Sequence, residues 1–336
     1  MRLSSPDYTA TAVLLSRALL LAVLFLPASG PAAEWKPDKP VEMVVPTSPG
    51  GGQDSMARTT HAIVQSKKMI EVPVTVVNKP GGGQAIGYSY INQKEGNAHY
   101  IAFSTVNLLT NQIIGTHPLT YTDVTPIAML AHEYLLFAVR ADSQIKNAKS
   151  LLDSLKRDPA ANSIGFAPSL GGSAHISVAL VARAAGVDAR KMRMVIFKSG
   201  GEAATALLGG HVDVGVVGIP VVMPHVRAGN LRVIAVPAPK RLIGELSQVP
   251  TWRDSGVNAV FANWRGVIGP RGLTRDQIDY WERVFKQVAA TDEWKRYLQN
   301  NELEDGFTDA NGAGEFLRTE YEALRTTLTE LGLVKK

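Results

Sequence analysis

The chain has 336 residues, 45% hydrophobic and 19% charged, with no cysteine and a formal net charge of +5. That length suits about two domains of the usual ~100–200 residues, and the lack of cysteine excludes disulfides and a lipid-modified cysteine alike. No Lys/Arg run is dense enough to serve nucleic acid, so the mild positive charge points to small anions.

The first element does not belong to the fold. Ala18–Leu26 (ALLLAVLFL) is an unbroken apolar run of signal-peptide length, preceded by Arg2 and Arg17 and followed by PASGPAA, and it is too short to cross a bilayer core as a helix. A buried helix is the competing reading, and nothing polar on the stretch marks a solvent face for one. Residues 1–33 are therefore expected to be a cleaved signal peptide, leaving a chain that starts near Glu34 or Trp35 outside the cytoplasm, in a bacterium the periplasm.

From there one unit recurs: a short β-branched run, a turn of Gly, Ser, Thr or Pro, then a helical pattern. Val41–Val45 leads through PTSPGGGQD to a helix from about Ser55 to Lys67; Val74–Asn78 leads through KPGGGQ to a helix ending at Tyr90; Tyr100–Phe103 leads through Ser104-Thr105 to another. Pro126–Leu130 and Tyr134–Arg140 read as two strands with no helix between, a break suited to a crossing between domains. The unit then resumes with Ser163–Phe166, APSLGGS and a helix over Ala174–Ala185. Met194–Phe197, KSGGE and a helix to Leu208 follow, then strands at Val212–Val217 and Leu231–Val236. VPTWRDSG after Val249 is loop-like. Asp276–Leu333 is helical in period with a break at NELEDGFTDANGAG, suited to packing back on the first domain. Strands alternating with helices predict an α/β fold with mostly parallel sheets.

The two GGG turns carry the chemistry. In each, glycines follow a strand and a Gln or Asp opens a helix, so free backbone N–H groups and the positive end of a helix dipole converge on an anion site made of backbone. Asp54 is placed to cap its helix and to pair with Arg58. Nucleotide motifs fail on spacing, since GGGQDS has no Walker lysine and position 86, where a dinucleotide fingerprint needs glycine, is Ile. Ser169 lies in APSLG rather than GxSxG, and the histidines lack metal-ligand spacing, so no catalytic residue, cofactor or metal is expected. His61, His99, His117 and His225 read as surface or packing residues. His175, one turn into a helix opened by GGS, either reaches a ligand or packs; Asp213 either receives a ligand donor or caps a turn. Ser104, Thr105, Ser173, Ser199 and Gly200 open helices, where the hydroxyls cap, touch ligand, or both. Trp264 is either an apolar wall of the site or core.

The segments PVEMVVPTSPGGGQDSMAR (40–58), VVNKPGGGQAIG (76–87), GGSAH (171–175), FKSGGEAATALLGGHVD (197–213), VPTWRDSG (249–256) and WRGVIGP (264–270), in this order, resemble the solute-binding proteins of tripartite tricarboxylate transporters, the Bug family. The resemblance implies a type II periplasmic-binding-protein fold. Lobe 1 would comprise 34–138 and 263–336 and lobe 2 would comprise 139–262, with hinges near Val139–Asp142 and Pro237–Ala262. It implies a small carboxylate held by backbone amides and ordered water, without a fixed counter-charge. The loops at 47–53 (Thr47, Ser48, Gly51, Gly52, Gln53) and 80–84 (Gly82, Gly83, Gln84) would hold one end, and positions near Ser169–His175 and Ser199–Gly201 the other. It further implies a monomer that closes on its ligand and docks to a membrane permease. A secreted α/β enzyme acting on carboxylates, or a ligand-presenting partner of a sensor kinase, are the rivals. The family commonly has an aromatic at position 47, where this chain has Thr.

Overall fold

The computed structural model describes residues 1, 2 and 34–334; apart from Met1 and Arg2, the expected signal peptide lies outside the described residues. The chain divides into Met1–Trp35 and a compact unit from Lys36 onward, and all the described strands and helices lie in the second. Among the described residues no helix is long and apolar enough to cross a membrane.

The strand–turn–helix unit runs as β1 (Val41–Val45), α1 (Gly52–Ser66), β2 (Val74–Asn78), α2 (Ala85–Asn92), β3 (Tyr100–Ser104), α3 (Asn107–Ile113) and β4 (Val124–Glu133). The chain then enters a second sheet with β5 (Leu136–Arg140), α4 (Ala148–Arg157), β6 (Ser163–Phe166), α5 (Ser173–Ala184), β7 (Arg193–Ile196), α6 (Gly200–Leu208), β8 (Val214–Val217), α7 (Ile219–Arg227) and β9 (Leu231–Ala235). It returns through β10 (Asn263–Pro270), α8 (Arg275–Ala290), α9 (Asp292–Asn300), β11 (Glu304–Thr308) and α10 (Ala310–Glu330). Strand order is β11-β4-β10-β3-β1-β2 in one sheet and β7-β6-β8-β5-β9 in the other.

β1 pairs parallel with β2 and β3, and β6 parallel with β7 and β8. The strands that run against this direction are those tied to the crossings, β5 and β10, together with the edge strand β11. Most strands of each sheet therefore point one way, as the alternating pattern predicts, and helices cover both faces. That is why β1 is apolar almost throughout and buried rather than alternating. The crossing occupies Tyr134 and Leu135, ahead of the division at 138/139 read from the sequence, because Leu136–Val139 is a continuous buried run paired inside the second sheet. β10 is a central strand paired on both sides. In the C-terminal region the expected break holds β11, and NGAG opens α10 instead of ending a helix. α10 lays Leu317, Leu324 and Leu328 against Val44, Ile113 and Trp264 of the first half. The second half builds its own core around Phe137, Phe166 and Trp252, the last meeting Phe137 edge-to-face at 4.9 Å.

Candidate functional site

The C-terminal ends of the parallel strands of both sheets, where loops and helix starts gather, face one another across a cleft. From the first half come Thr47, Gly51, Gly52 and Gln53 after β1, Gln84 after β2, Thr105 and Asn107 after β3, and Asn263 and Arg265 at the start of β10. From the second come Ala167, Pro168 and Ser173 after β6, Ser199 and Gly200 after β7, and Val216–Gly218 at the end of β8, with Leu135 of the crossing between. The cleft holds a cavity of about 60 Å³.

Two helix starts at the cleft differ from those elsewhere, whereas α6 keeps a side-chain cap, Ser199 Oγ accepting from Glu202 N–H at 3.3 Å. α4, α8, α9 and α10 begin with Asn147, Thr274, Thr291 and Asp309, each accepting a hydrogen bond from its own first turn. α1 and α5 begin instead at Gly51 and Gly172, with no side-chain cap. Their first N–H groups are thus left for something other than the protein's own side chains, at the positive end of each dipole. Asp54 is the third residue of α1 rather than its N-cap, and it reaches back to accept from Gly50 N–H at 3.1 Å, from Asn78 at 2.9 Å and from Arg58 at 2.9 Å. Burial pushes its carboxyl up, but these bonds from Arg58, Asn78 and Gly50 outweigh burial and hold it below the usual carboxylate value.

α7 also starts at a glycine, Gly218, and its first N–H is met from the other half: Ile219 donates to Glu133 Oε1 at 3.2 Å. Glu133 in turn accepts from Asn263 Nδ2 at 3.0 Å and from the guanidinium of Arg265. A Cβ at Gly218 would collide with this carboxylate, so glycine there is what lets the last residue of β4 reach α7. Arg265 is the one charged side chain among the described lining residues, and a Cβ at Gly52 would stand 3.2 Å from its Nη2. The guanidinium therefore lies against the start of α1. The cleft wall thus holds a charged side chain that the glycine turns did not announce, and Glu133 neutralises it, so the pair adds no net charge.

Several residues expected at the site do line it: Thr47, Gly51, Gly52, Gln53, Gln84, Thr105, Ser173, Ser199 and Gly200. The others are placed differently. Gly82 and Gly83 belong to a run from Gly81 to Gln84 with φ between 57° and 120°, and a Cβ at Gly83 would stand 2.7 Å from Ser169 Cβ. Their bareness serves a left-handed turn and, at Gly83, close approach between the halves. Ser169 belongs to the same seam, its Oγ accepting from Asn107 Nδ2 at 2.7 Å. Ser48 is half-buried beside the cleft, and Ser104 is buried at the end of β3. His175 stands behind the β6 loop: its Nδ1 accepts from Gly171 N–H at 2.8 Å and its ring stacks on Phe166. Burial drives its pKa down to about 4, so the neutral ring shapes the loop. Asp213 is at the far end of the second sheet, accepting from Ser163 N and Oγ at 2.7 Å, where it ties the starts of β6 and β8 together. Trp264 is core against Phe316, on the opposite face of β10 from Asn263 and Arg265.

This arrangement matches a known group. The model of the tripartite tricarboxylate transporter family receptor (TctC) matches residues 58–333. The chain belongs to this receptor family. Among relatives of this receptor, Protein BugT of Bordetella pertussis is 27% identical over 77% of the chain and 80% of its own length. The structure of periplasmic binding protein BugD superposes with a TM-score of 0.82 at 21% identity, covering 89% of this chain and 100% of that one. MatC from Rhodopseudomonas palustris with bound malate superposes at 0.78 and 20% identity, covering 87% and 99%. TctC receptors are extracytoplasmic solute-binding proteins and not enzymes, which sets aside the secreted-enzyme reading.

Proposed function

We propose that this receptor captures a small carboxylate outside the cytoplasm and delivers it to the membrane permease of a tripartite tricarboxylate transporter. Residues 1–33 direct export to the periplasm and are removed. The mature chain works as a monomer whose two halves close about the crossings, near Tyr134-Leu135 and within Pro237–Ala262. The observation that carries this reading is the convergence of Arg265 with the uncapped starts of α1 and α5 on one cleft.

The charge count supports an anion. Arg265 is balanced by Glu133, Asp54 is paired with Arg58, and the helix starts add roughly half a positive charge each. The two uncapped starts together leave a surplus of about one positive charge, which suits a carboxylate. The cleft's room suits a short-chain acid, in keeping with a relative that was solved with malate. Closure of this kind gives a permease a shape that reports occupancy.

A thermal-shift screen of mono-, di- and tricarboxylates tests the reading. A ligand at about a hundred times its Kd adds roughly 2.7 kcal/mol to stability. Stabilisation by a neutral sugar or a cation, with no carboxylate active, would overturn it.

A further inference from the structure

The polar side chains of the cleft divide into a set that satisfies itself and a set that does not. Gln84 Oε1 accepts from Tyr88 Oη at 2.6 Å and from Thr105 Oγ1 at 3.2 Å, and Asn107 is held by Ser169. On the other wall, Gln53 Nε2 donates to the Phe103 carbonyl at 3.0 Å, and Asn263 Nδ2 donates to Glu133 at 3.0 Å. A carbonyl and a carboxylate accept only, so neither amide can be turned round. Gln53 Oε1 and Asn263 Oδ1 are consequently fixed in place, buried and without a partner, on residues 3% and 2% exposed that both line the cleft.

A buried acceptor left unmet is destabilising, and only a donor, on the ligand or on a water held with it, can meet it. A carboxylate carries none. We infer that the ligand bears, beside its carboxylate, a neutral hydrogen-bond donor, a hydroxyl or an amide N–H, that is received by Gln53 Oε1 and Asn263 Oδ1. An ammonium group does not suit this wall. The charge of Glu133 is already taken by Arg265 and by the N–H of Ile219, and the nearby start of α1 is positive. Thr47 Oγ1 is likewise buried and unpartnered, but a hydroxyl serves as donor or acceptor and does not discriminate.

This inference rests on the carboxylate-capture reading and narrows it. The test is calorimetric titration of the exported chain with matched acids: butyrate against 3-hydroxybutyrate and succinamate, and succinate against malate and aspartate. The hydroxyl or amide member of each set should bind about tenfold or more tighter than its plain partner, with aspartate weaker than malate. Gln53→Met should lower affinity for the donor-bearing acid more than for the plain one and collapse the ratio; Asn263→Ala provides the same comparison if that variant does not fold. Equal affinities within each set, a preference that survives both substitutions, or aspartate as the tightest ligand would each overturn the inference while leaving carboxylate capture standing. Failure of every acid to bind would overturn the underlying reading as well.

Discussion

Gly201 lies in the first turn of α6, where a Cβ would stand 2.7 Å from the carbonyl oxygen and 3.1 Å from the carbonyl carbon of Gly50, across the cleft. Ordinary contact begins at about 3.4 Å, so Gly201→Ala asks the halves to part by roughly 0.7 Å, and both atoms met are backbone that cannot rotate away. Overpacking of this kind costs typically ~1–3 kcal/mol. If the penalty falls on the closed arrangement alone, affinity for a carboxylate drops by about 5- to 150-fold. The unliganded chain is spared, because alanine in a helix is favoured over glycine by up to about 1 kcal/mol. Titration calorimetry with the best carboxylate and thermal unfolding of the unliganded protein together read both effects. Unchanged affinity would refute the claim that ligand is held between halves that meet at Gly50 and Gly201, and a large loss of unliganded stability would show that the contact belongs to folding.

Three more outcomes are expected of the site. Because burial lowers the pKa of His175 from 6.5 to about 4, its contribution is fully present above pH 6.5 and lost as pH falls towards 4, about 3 kcal/mol in all; chemical unfolding of the protein and of His175→Asn at about pH 7 and about pH 4 should show the variant losing less by that amount, and parallel losses would contradict it. Glu133→Gln leaves the Arg265 guanidinium buried without its counter-charge, so unliganded stability should fall by about 3–5 kcal/mol while the thermal shift produced by a carboxylate grows; a smaller shift than in the parent would place the ligand elsewhere. Thr47→Val removes a buried hydroxyl with no partner in the protein, so unliganded stability should rise by about 1 kcal/mol while carboxylate affinity falls, and unchanged affinity would remove Thr47 from the ligand's contacts.

The first half of the fold is legible because β1 and β3 are buried almost throughout and, like the edge strand β2, read as apolar runs ending in glycine or Ser/Thr turns. β10 escapes notice because Gly266, Gly269 and Pro270 dilute its apolar run, although it pairs on both sides in the centre of the first sheet. With β10 goes the charged part of the site. Singling out Trp264 selects the core face of a strand whose neighbours, Asn263 and Arg265, face the cleft; in a strand a one-residue step changes the side. The pairing of Glu133 with Arg265 across 132 positions leaves no local trace, whereas polar residues alternating through NWRG could have flagged a strand with a polar face. The glycine turns are recognisable as an anion site by the physics of bare N–H groups, but at Gly83 the neighbour that needs the bare backbone is Ser169 of the same chain.

The central claim is that this cleft binds a small carboxylate, and Gly51→Val tests it most directly. Gly51 has φ −93° and ψ 168°, which valine adopts without strain, and a Cβ there would lie 3.5 Å from Gly200 N at the cleft, so the two further methyl carbons occupy the space left for ligand. Calorimetric titration of the parent with short-chain mono- and dicarboxylates should give one site per chain, abolished in Gly51→Val while its far-UV circular dichroism stays that of the parent. Undiminished binding by the folded variant would contradict the account.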